Sequence, residues 1–339
     1  MGPSIRRALG RLAEPYVLFP LTALLLLTVI WGTTWNLIGS ERAGAERAAA
    51  TSAKELAETY EAQAVRALRE IDQSLKLIKY AYEQNGGNVS LPLLRERALL
   101  PPDLLFAVSI ADRNGKVVAS TRAIKLKNVS EKDYFRAQLE GDRLAFGRPE
   151  TGGTERESNL HFTHRLNDGS GQFAGVAIVT VAAAYFVSGY ERSRLGEHGV
   201  IGIVGADGVF VARRSGETVV ATDEKSYADI TPPADKHGET PATVNPWDGV
   251  RRFTSARPLF DVPLAVIVGL SEKEQLADVE AKAWVYNWRA AGGSTLLLVL
   301  VGLLGWASWH LTQSRIRANQ ILQEEIAFRR LAEAALNLR

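Results

Sequence analysis

The sequence predicts an α+β fold: a long N-terminal helix and two antiparallel-sheet modules, flanked by two transmembrane helices. Three observations carry this. Two apolar stretches without formal charge, Tyr16–Leu37 and Gly292–Leu311, lie near the two ends of the chain. A helical pattern runs from Glu41 to Gln84 without Pro, and without Gly after Gly44. A pair of strand-turn patterns then recurs at offsets of 93 and 91 residues.

The apolar stretches come first because they set the organisation. About 20 residues at ~1.5 Å rise cross a ~30 Å hydrocarbon core, whereas a buried core helix needs only ~10–14. Arg6, Arg7 and Arg11 precede the first stretch, and Arg315 and Arg317 follow the second. Basic flanks stay in the cytoplasm, so both termini are expected inside and residues ~40 to 290 outside. The first stretch is longer than the ~7–15 residue core of a signal peptide and lacks a small-x-small cleavage pattern, so it reads as an uncleaved anchor. The expected location is the cytoplasmic membrane, with two passes.

Composition narrows the function classes. Hydrophobic residues make up 46% and charged residues 23%, the balance of a folded protein. A net charge of +2 makes no case for nucleic acid as a partner. With no cysteine there is no disulfide, no thiol nucleophile and no Cys-ligated metal. His161 and His164 are close, but their odd spacing on a strand points them to opposite faces. No cofactor and no metal are expected.

In the helix, Leu56, Tyr60, Ala64, Leu68, Ile71, Leu75, Ile78 and Tyr82 form one stripe in steps of three or four. Such a stripe serves either as a core face over a sheet or as a dimer seam. Asn85-Gly86-Gly87 ends it. Strands are expected at Phe106–Ala111 and Lys116–Thr121 around the turn Asp112-Arg113-Asn114-Gly115, and a short helix at Glu131–Leu139. His161–Leu166 and Phe173–Val181 form a second pair around Asn167–Gly171. Gly115-Lys-Val-Val-Ala119 is echoed by Gly208-Val-Phe-Val-Ala212, and Phe162-Thr163 by Phe253-Thr254, with Leu264–Gly269 as the partner strand. Shared order and spacing point to a duplicated module. Asp278–Arg289 returns as helix to the second span. Beyond that span, Ile321, Phe328, Leu331, Ala335 and Leu338 follow a heptad, with Glu324 as the misfit.

The residues from Val108 to Phe186 carry a resemblance. They include Ser109–Gly115, Lys132-Asp-Tyr-Phe-Arg136, Phe146-Gly-Arg-Pro149, Thr163-His-Arg165 and Gly175–Val181. Together with two spans around a tandem module and a long leading helix, they resemble the double Cache (tandem PAS-like) sensors of bacterial transmembrane receptors. The resemblance implies two stacked α/β modules with the ligand in the membrane-distal one. In the amino-acid-binding branch of that family an Arg-x-Trp-Tyr pattern holds the ligand carboxylate and a later strand Asp holds the amine. Here Lys132, Tyr134 and Phe135 fall in the first positions, and Thr180 in the Asp position. Lys attracts an anion without the bidentate fork of Arg, and Thr does not neutralise an ammonium. The ligand implied is therefore a small carboxylate or another anion. Arg136 and Arg165 complete the candidate set; Lys132 and Arg136 have a rival reading as solvated charges, and Tyr134 and Phe135 as core residues.

The expected domains are a cytoplasmic N-terminus at 1–15 and a first transmembrane helix at 16–38. The long helix with the distal module occupies 40–195, and the proximal module 196–275. A juxtamembrane helix at 276–291, a second transmembrane helix at 292–312 and a cytoplasmic signalling helix at 313–339 complete the chain. The function expected is the non-enzymatic input half of a receptor. It senses a small extracytoplasmic molecule, acts as a homodimer and relays the signal to a separate or missing output module of cyclic-di-GMP enzyme, PAS or kinase type. The rival is a structural membrane protein such as a polysaccharide chain-length regulator, which shares two spans and long outside helices.

Overall fold

The computed structural model describes residues 15–100, 106–122, 127–147, 159–188, 192–205, 207–220, 223–226, 241–245, 247–259 and 262–336. Two compact units divide the chain: Gly44–Leu276, and the helical ends within Met1–Ala43 and Ala277–Arg339.

Helix α1 runs Pro15–Gln84, 70 residues with a single interior proline, Pro20. At ~1.5 Å per residue that is roughly 105 Å. The Gly87 N–H donates to the Tyr82 carbonyl at 2.9 Å and closes its last turn. In the Gly44–Leu276 unit the expected stripe is a core face: Tyr60, Ala64, Leu68, Ile71, Leu75 and Ile78 are buried, while Leu56 and Tyr82 pack half-buried against the same core. Ala49, Ala53 and Ala57 extend the buried face toward the helix start. The stripe packs on the protein's own sheets, as the core reading of these residues requires.

The first sheet contains β1 (Phe106–Asp112), β2 (Val117–Ser120), β3 (Ala145–Gly147), β4 (Asn159–Asn167) and β5 (Phe173–Ala182), in the order β2-β1-β5-β4-β3. The second contains β6 (Val200–Gly205), β7 (Val209–Ser215), β8 (Thr218–Val220), β9 (Asp223–Ser226), β10 (Thr243–Val244), β11 (Arg251–Leu259) and β12 (Leu264–Ser271). Its order is β10-β11-β12-β6-β7-β8, with β9 also paired to β7. Read from β7 to β10, this is the topology of the first sheet again. Even the irregularity in the leading hairpin repeats: the register shifts at Ile110/Ala111 in one module and at Ile203/Val204 in the other. The edge strands β3, β8, β9 and β10 were not anticipated, because two to four residues are too few to establish a period.

Turn chemistry explains the leading hairpin. Asp112 Oδ1 accepts from the Asn114 N–H (2.9 Å) and the Lys116 N–H (3.0 Å). Gly115 has φ 78°, and a Cβ there would lie 2.5 Å from the Ser130 backbone nitrogen, so both backbone conformation and space require glycine. Short helices α2 (Leu91–Glu96), α3 (Asp133–Glu140), α4 (Tyr185–Ser188) and α5 (Arg192–Leu195) fill the connections. Only α3 has a counterpart in the sequence expectations, shifted from Glu131–Leu139 by one or two residues.

Alternation along the strands builds the core. Phe106, Val108, Ile110, Leu160, Phe162, Leu166, Val179 and Val181 share one face of the first sheet and pack with α1 in one cluster, to which β6, β7, β11 and β12 also contribute. Tyr60 Oη donates to the Phe186 carbonyl at 2.8 Å, and Arg257 on β11 pairs with Glu58 and Glu61 of α1.

Helix α6 (Glu272–Leu336) is one unbroken 65-residue helix that begins in the Gly44–Leu276 unit and continues into the other. Tyr286 Oη donates to Glu41 Oε1 at 3.0 Å. Among the described residues, two helical segments are long and apolar enough to cross a membrane. Their leucines, among them Leu24, Leu25, Leu296 and Leu303, are exposed rather than built into a core. The side chains of the heptad from Ile321 to Leu338 lie outside the described residues, as do residues 1–14 and the Pro232-Pro233 stretch.

Candidate functional site

The face of the first sheet turned away from α1 carries a different chemistry. On β4 it presents His161, Thr163 and Arg165, on β5 Val176, Ile178 and Thr180, and on β1 Ser109 and Ala111, as strand alternation requires. Helix α3 covers part of it. Tyr134 and Phe135 are buried there with Val129, Val176 and Ile178 in a cluster separate from the main core.

Three side chains fasten α3. Gln138, fully buried, donates through Nε2 to the carbonyls of Arg143 (2.8 Å) and Thr163 (3.0 Å). Thr163 Oγ1 donates to the Tyr134 carbonyl at 2.9 Å. The Arg165 Nη1 donates to the Gln138 and Leu139 carbonyls, at 3.2 and 3.4 Å, where the helix end leaves acceptors without intrahelical partners. Arg165 Nε reaches Asn167 Oδ1 at 2.8 Å, and the guanidinium lies 5.2 Å from the Phe173 ring centroid. Phe135 meets Phe173 edge-on, with centroids 5.7 Å apart. The charge of Arg165 is thus engaged by a helix terminus and an aromatic face.

The structure brings Tyr134 and Thr180 together through a residue that the sequence reading set aside. His161 Nδ1 lies 2.9 Å from Thr180 Oγ1, its cross-strand partner, and the imidazole lies 5.0 Å from the Tyr134 ring at a 31° tilt. Gly147 on β3 makes room for that ring: a Cβ there would lie 2.1 Å from Tyr134 Cδ1. Arg165 is four residues along β4 from His161, about 13 Å by strand rise. Lys132 sits half-buried at the N-cap of α3, its carbonyl accepting from the Phe135 and Arg136 N–H groups at 3.0 Å, and Arg136 is exposed on the helix. Only Thr180, Tyr134 and, through its neighbour, Phe135 therefore share one patch.

Beyond α3, this sheet face carries half-buried polar side chains. Ala107, Ser109, His161 and Thr180 are half-buried among the described residues, while their inward-facing neighbours Val108, Phe162 and Val179 are buried. Ser109 Oγ and Ser120 Oγ share a hydrogen bond of 2.9 Å beside this strip. The strip supplies hydroxyl and imidazole groups next to an aromatic wall, which is what a small polar ligand requires. The signal for His161 was present in the sequence: it alternates with Thr163 and Arg165, and its cross-strand position on β5 carries a hydroxyl.

The α1 side of the same strand holds a buried ionic network. His164 has a side chain only 7% exposed, with Nε2 2.7 Å from Asp72 Oδ1 and Nδ1 2.9 Å from Asp142 Oδ1. Lys76 lies 2.6 Å from Asp72 Oδ2 and Lys79 2.9 Å from Asp142 Oδ2. Burial pushes the Asp72 carboxyl up, but hydrogen bonds from Lys76 and His164 outweigh it and hold the group below its usual range. Asp142 follows the same pattern: burial raises it, and bonds from His164 and Lys79 bring it down. Each ring nitrogen of His164 thus faces one carboxylate, so the imidazole bridges α1 and the loop before β3. Among the described residues no group of His, Asp and Glu side chains is arranged to hold a metal.

No protein-family model and no curated protein matches the chain. Solved structures do. The extracellular domain of the protein described as histidine kinase rpHK1S-Z16 is 23% identical with a TM-score of 0.53, over 67% of this chain and 95% of that one. The ligand-binding domain of the Pseudomonas aeruginosa PAO1 amino acid chemoreceptor PctB, in complex with L-Arg, is 16% identical with a TM-score of 0.47, over 65% and 94%. That of the Pseudomonas fluorescens chemoreceptor CtaA, in complex with L-isoleucine, is 13% identical with a TM-score of 0.48, over 70% and 98%. The first of these carries the likeness of fold: a long N-terminal helix, two antiparallel sheets of repeated topology and a long C-terminal helix, the double Cache arrangement.

Proposed function

We propose that this double Cache fold is the input half of a two-pass bacterial membrane receptor whose distal module, residues 40–195, binds a small molecule carrying a carboxylate or another anionic group. The observation that carries this reading is the half-buried polar strip of Ser109, His161 and Thr180 beside the buried Tyr134 ring. Lys132 flanks it at the start of α3 and supplies the attraction for an anion. Thr180 and His161 supply hydrogen bonds but no carboxylate for an amine. Arg165 enters only indirectly, by holding the end of α3.

The spans at 16–38 and 292–312 would place residues ~40–290 outside the cytoplasmic membrane. Helix α6, continuous from Glu272 to Leu336, would link the proximal module, 196–275, to the second span. The segment 276–291 would then be the juxtamembrane part of that helix, and 313–339 its cytoplasmic signalling part. The output reached there would be a cyclic-di-GMP enzyme, PAS or kinase module, in a homodimer. The two repeated sheet modules count against the rival role as a polysaccharide chain-length regulator.

Calorimetric titration tests the site, using the full chain in lipid nanodiscs and the first small carboxylate that raises its melting temperature in a screen. Loss of one charge-assisted hydrogen bond is worth on the order of 1.5–3 kcal/mol, so Lys132→Ala should weaken binding roughly tenfold to a hundredfold. Thr180→Asp should weaken it by repulsion. Unchanged affinity in both variants would contradict the assignment.

A further inference from the structure

A cavity of about 480 Å³ opens on the other side of the distal sheet, between α1, the loop before β3 and the β11–β12 turn. Its size falls within the few-hundred to thousand Å³ range of small-molecule sites. Its floor is apolar: Leu68 of α1 and Leu259 and Val262 of the proximal module are buried, and Val65 and Leu144 are half-buried. His164 closes one end, with Asp72 and Asp142 beside it.

The charges around this floor do not cancel. All four carboxylate oxygens of Asp72 and Asp142 are already engaged, two by the lysines Lys76 and Lys79 and two by the ring nitrogens of His164. Two guanidinium groups remain on the lining. Arg69 has no ion pair among the described residues, and Arg143 has only a 3.5 Å contact with Glu140 in which both side chains are largely exposed. A floor that excludes water beneath a cationic mouth selects a molecule with an apolar body and an anionic head.

We propose that this cavity is a second ligand site, separate from the polar strip on the opposite sheet face, and that it takes a carboxylate with a short aliphatic or aromatic tail. The tail lies on Leu68, Leu259 and Val262, and the carboxylate meets Arg69 and Arg143. One such molecule touches α1, the distal module through Leu144 and His164, and the proximal module through Leu259 and Val262. Its occupancy therefore couples the two modules directly, whatever occupies the outer face.

The test is calorimetric titration of the full chain in nanodiscs with sodium hexanoate, against acetate (head without tail) and hexylammonium (tail with the opposite charge). Hexanoate should bind saturably and at least tenfold more tightly than either. Arg69→Gln with Arg143→Gln, both on exposed positions, should weaken hexanoate at least tenfold. Val262→Trp should abolish it by filling the cavity, and Thr180→Asp, on the other face, should leave it within twofold. No saturable binding, equal binding of hexylammonium, or full affinity in the arginine double variant would overturn the proposal. Heat that persists in Val262→Trp reports partition into lipid and also overturns it. Loss of hexanoate binding in Thr180→Asp would move the ligand to the outer face and overturn the separate site while sparing the receptor reading.

Discussion

His164 Nε2 lies 2.7 Å from Asp72 Oδ1 across 92 residues of sequence, joining strand β4 of the first sheet to helix α1. The other ring nitrogen holds Asp142, so one imidazole fixes three segments. Breaking two charge-assisted bonds at a buried ring should cost about 2–4 kcal/mol, so His164→Ala should lower the melting temperature of the full chain. The acid limb is the more specific readout. Asp72 and Asp142 are held below the unfolded carboxylate value of ~3.9. Their contribution is therefore complete above that value and lost as pH falls through their folded values. Thermal melts between pH 5 and 3 should show a steep decline in the wild type and a shallower one in His164→Ala. Parallel declines would separate the network from acid stability.

The second sheet has its own ion pair, with the Arg252 side chain buried and that of Asp248 partly exposed. Arg252, 1% exposed, donates from Nη1 and Nη2 to the two oxygens of Asp248 at 2.9 and 2.7 Å, and from Nε to the His198 carbonyl at 2.6 Å. Burial pushes Asp248 up, but the Arg252 hydrogen bonds bring it below its usual range. Removing one partner of a buried pair strands the other, at a cost of about 3–5 kcal/mol. Arg252→Met should reach that range, and Arg252→Lys should recover only part because an ammonium lacks the planar fork. Denaturant unfolding of the three proteins checks the order. A lysine variant as stable as the wild type would remove the argument from geometry.

Much of this was legible in sequence because it is local. The Asp112 turn, its echo after Gly205 and the stripe from Tyr60 to Ile78 are set by neighbours within a few residues. What the stripe packs against is not local: Leu68 suits a sheet and a second helix equally, and only the folded chain places it on its own core. Arg165 shows the same limit. Its charge is evident from sequence, but its place at the end of α3 depends on where α3 stops, and that diverted it from the anion-anchor role expected of it. The odd spacing of His161 and His164 correctly put them on opposite faces. Their partners, Thr180 at 19 residues and Asp72 at 92, were beyond any short-range pattern. Tyr134 in turn depends on the absence of a side chain at Gly147, which no periodicity reveals.

Topology gives an independent check. A reporter active only in the cytoplasm, fused at Arg339, should be active. A reporter active only outside should be active when inserted at Gly216, in the turn between β7 and β8. Two fusions reporting the same compartment would contradict a two-pass arrangement.

Hydrogen–deuterium exchange tests the central claim most directly. It should be measured on the full chain in nanodiscs, with and without the first screened carboxylate that raises its melting temperature. A ligand on the outer face of the distal sheet should slow exchange in α3, in β4 around His161 and in β5 around Thr180, with smaller changes along α6. Slowing confined to the proximal module, with α3, β4 and β5 unchanged, would contradict a distal sensor site.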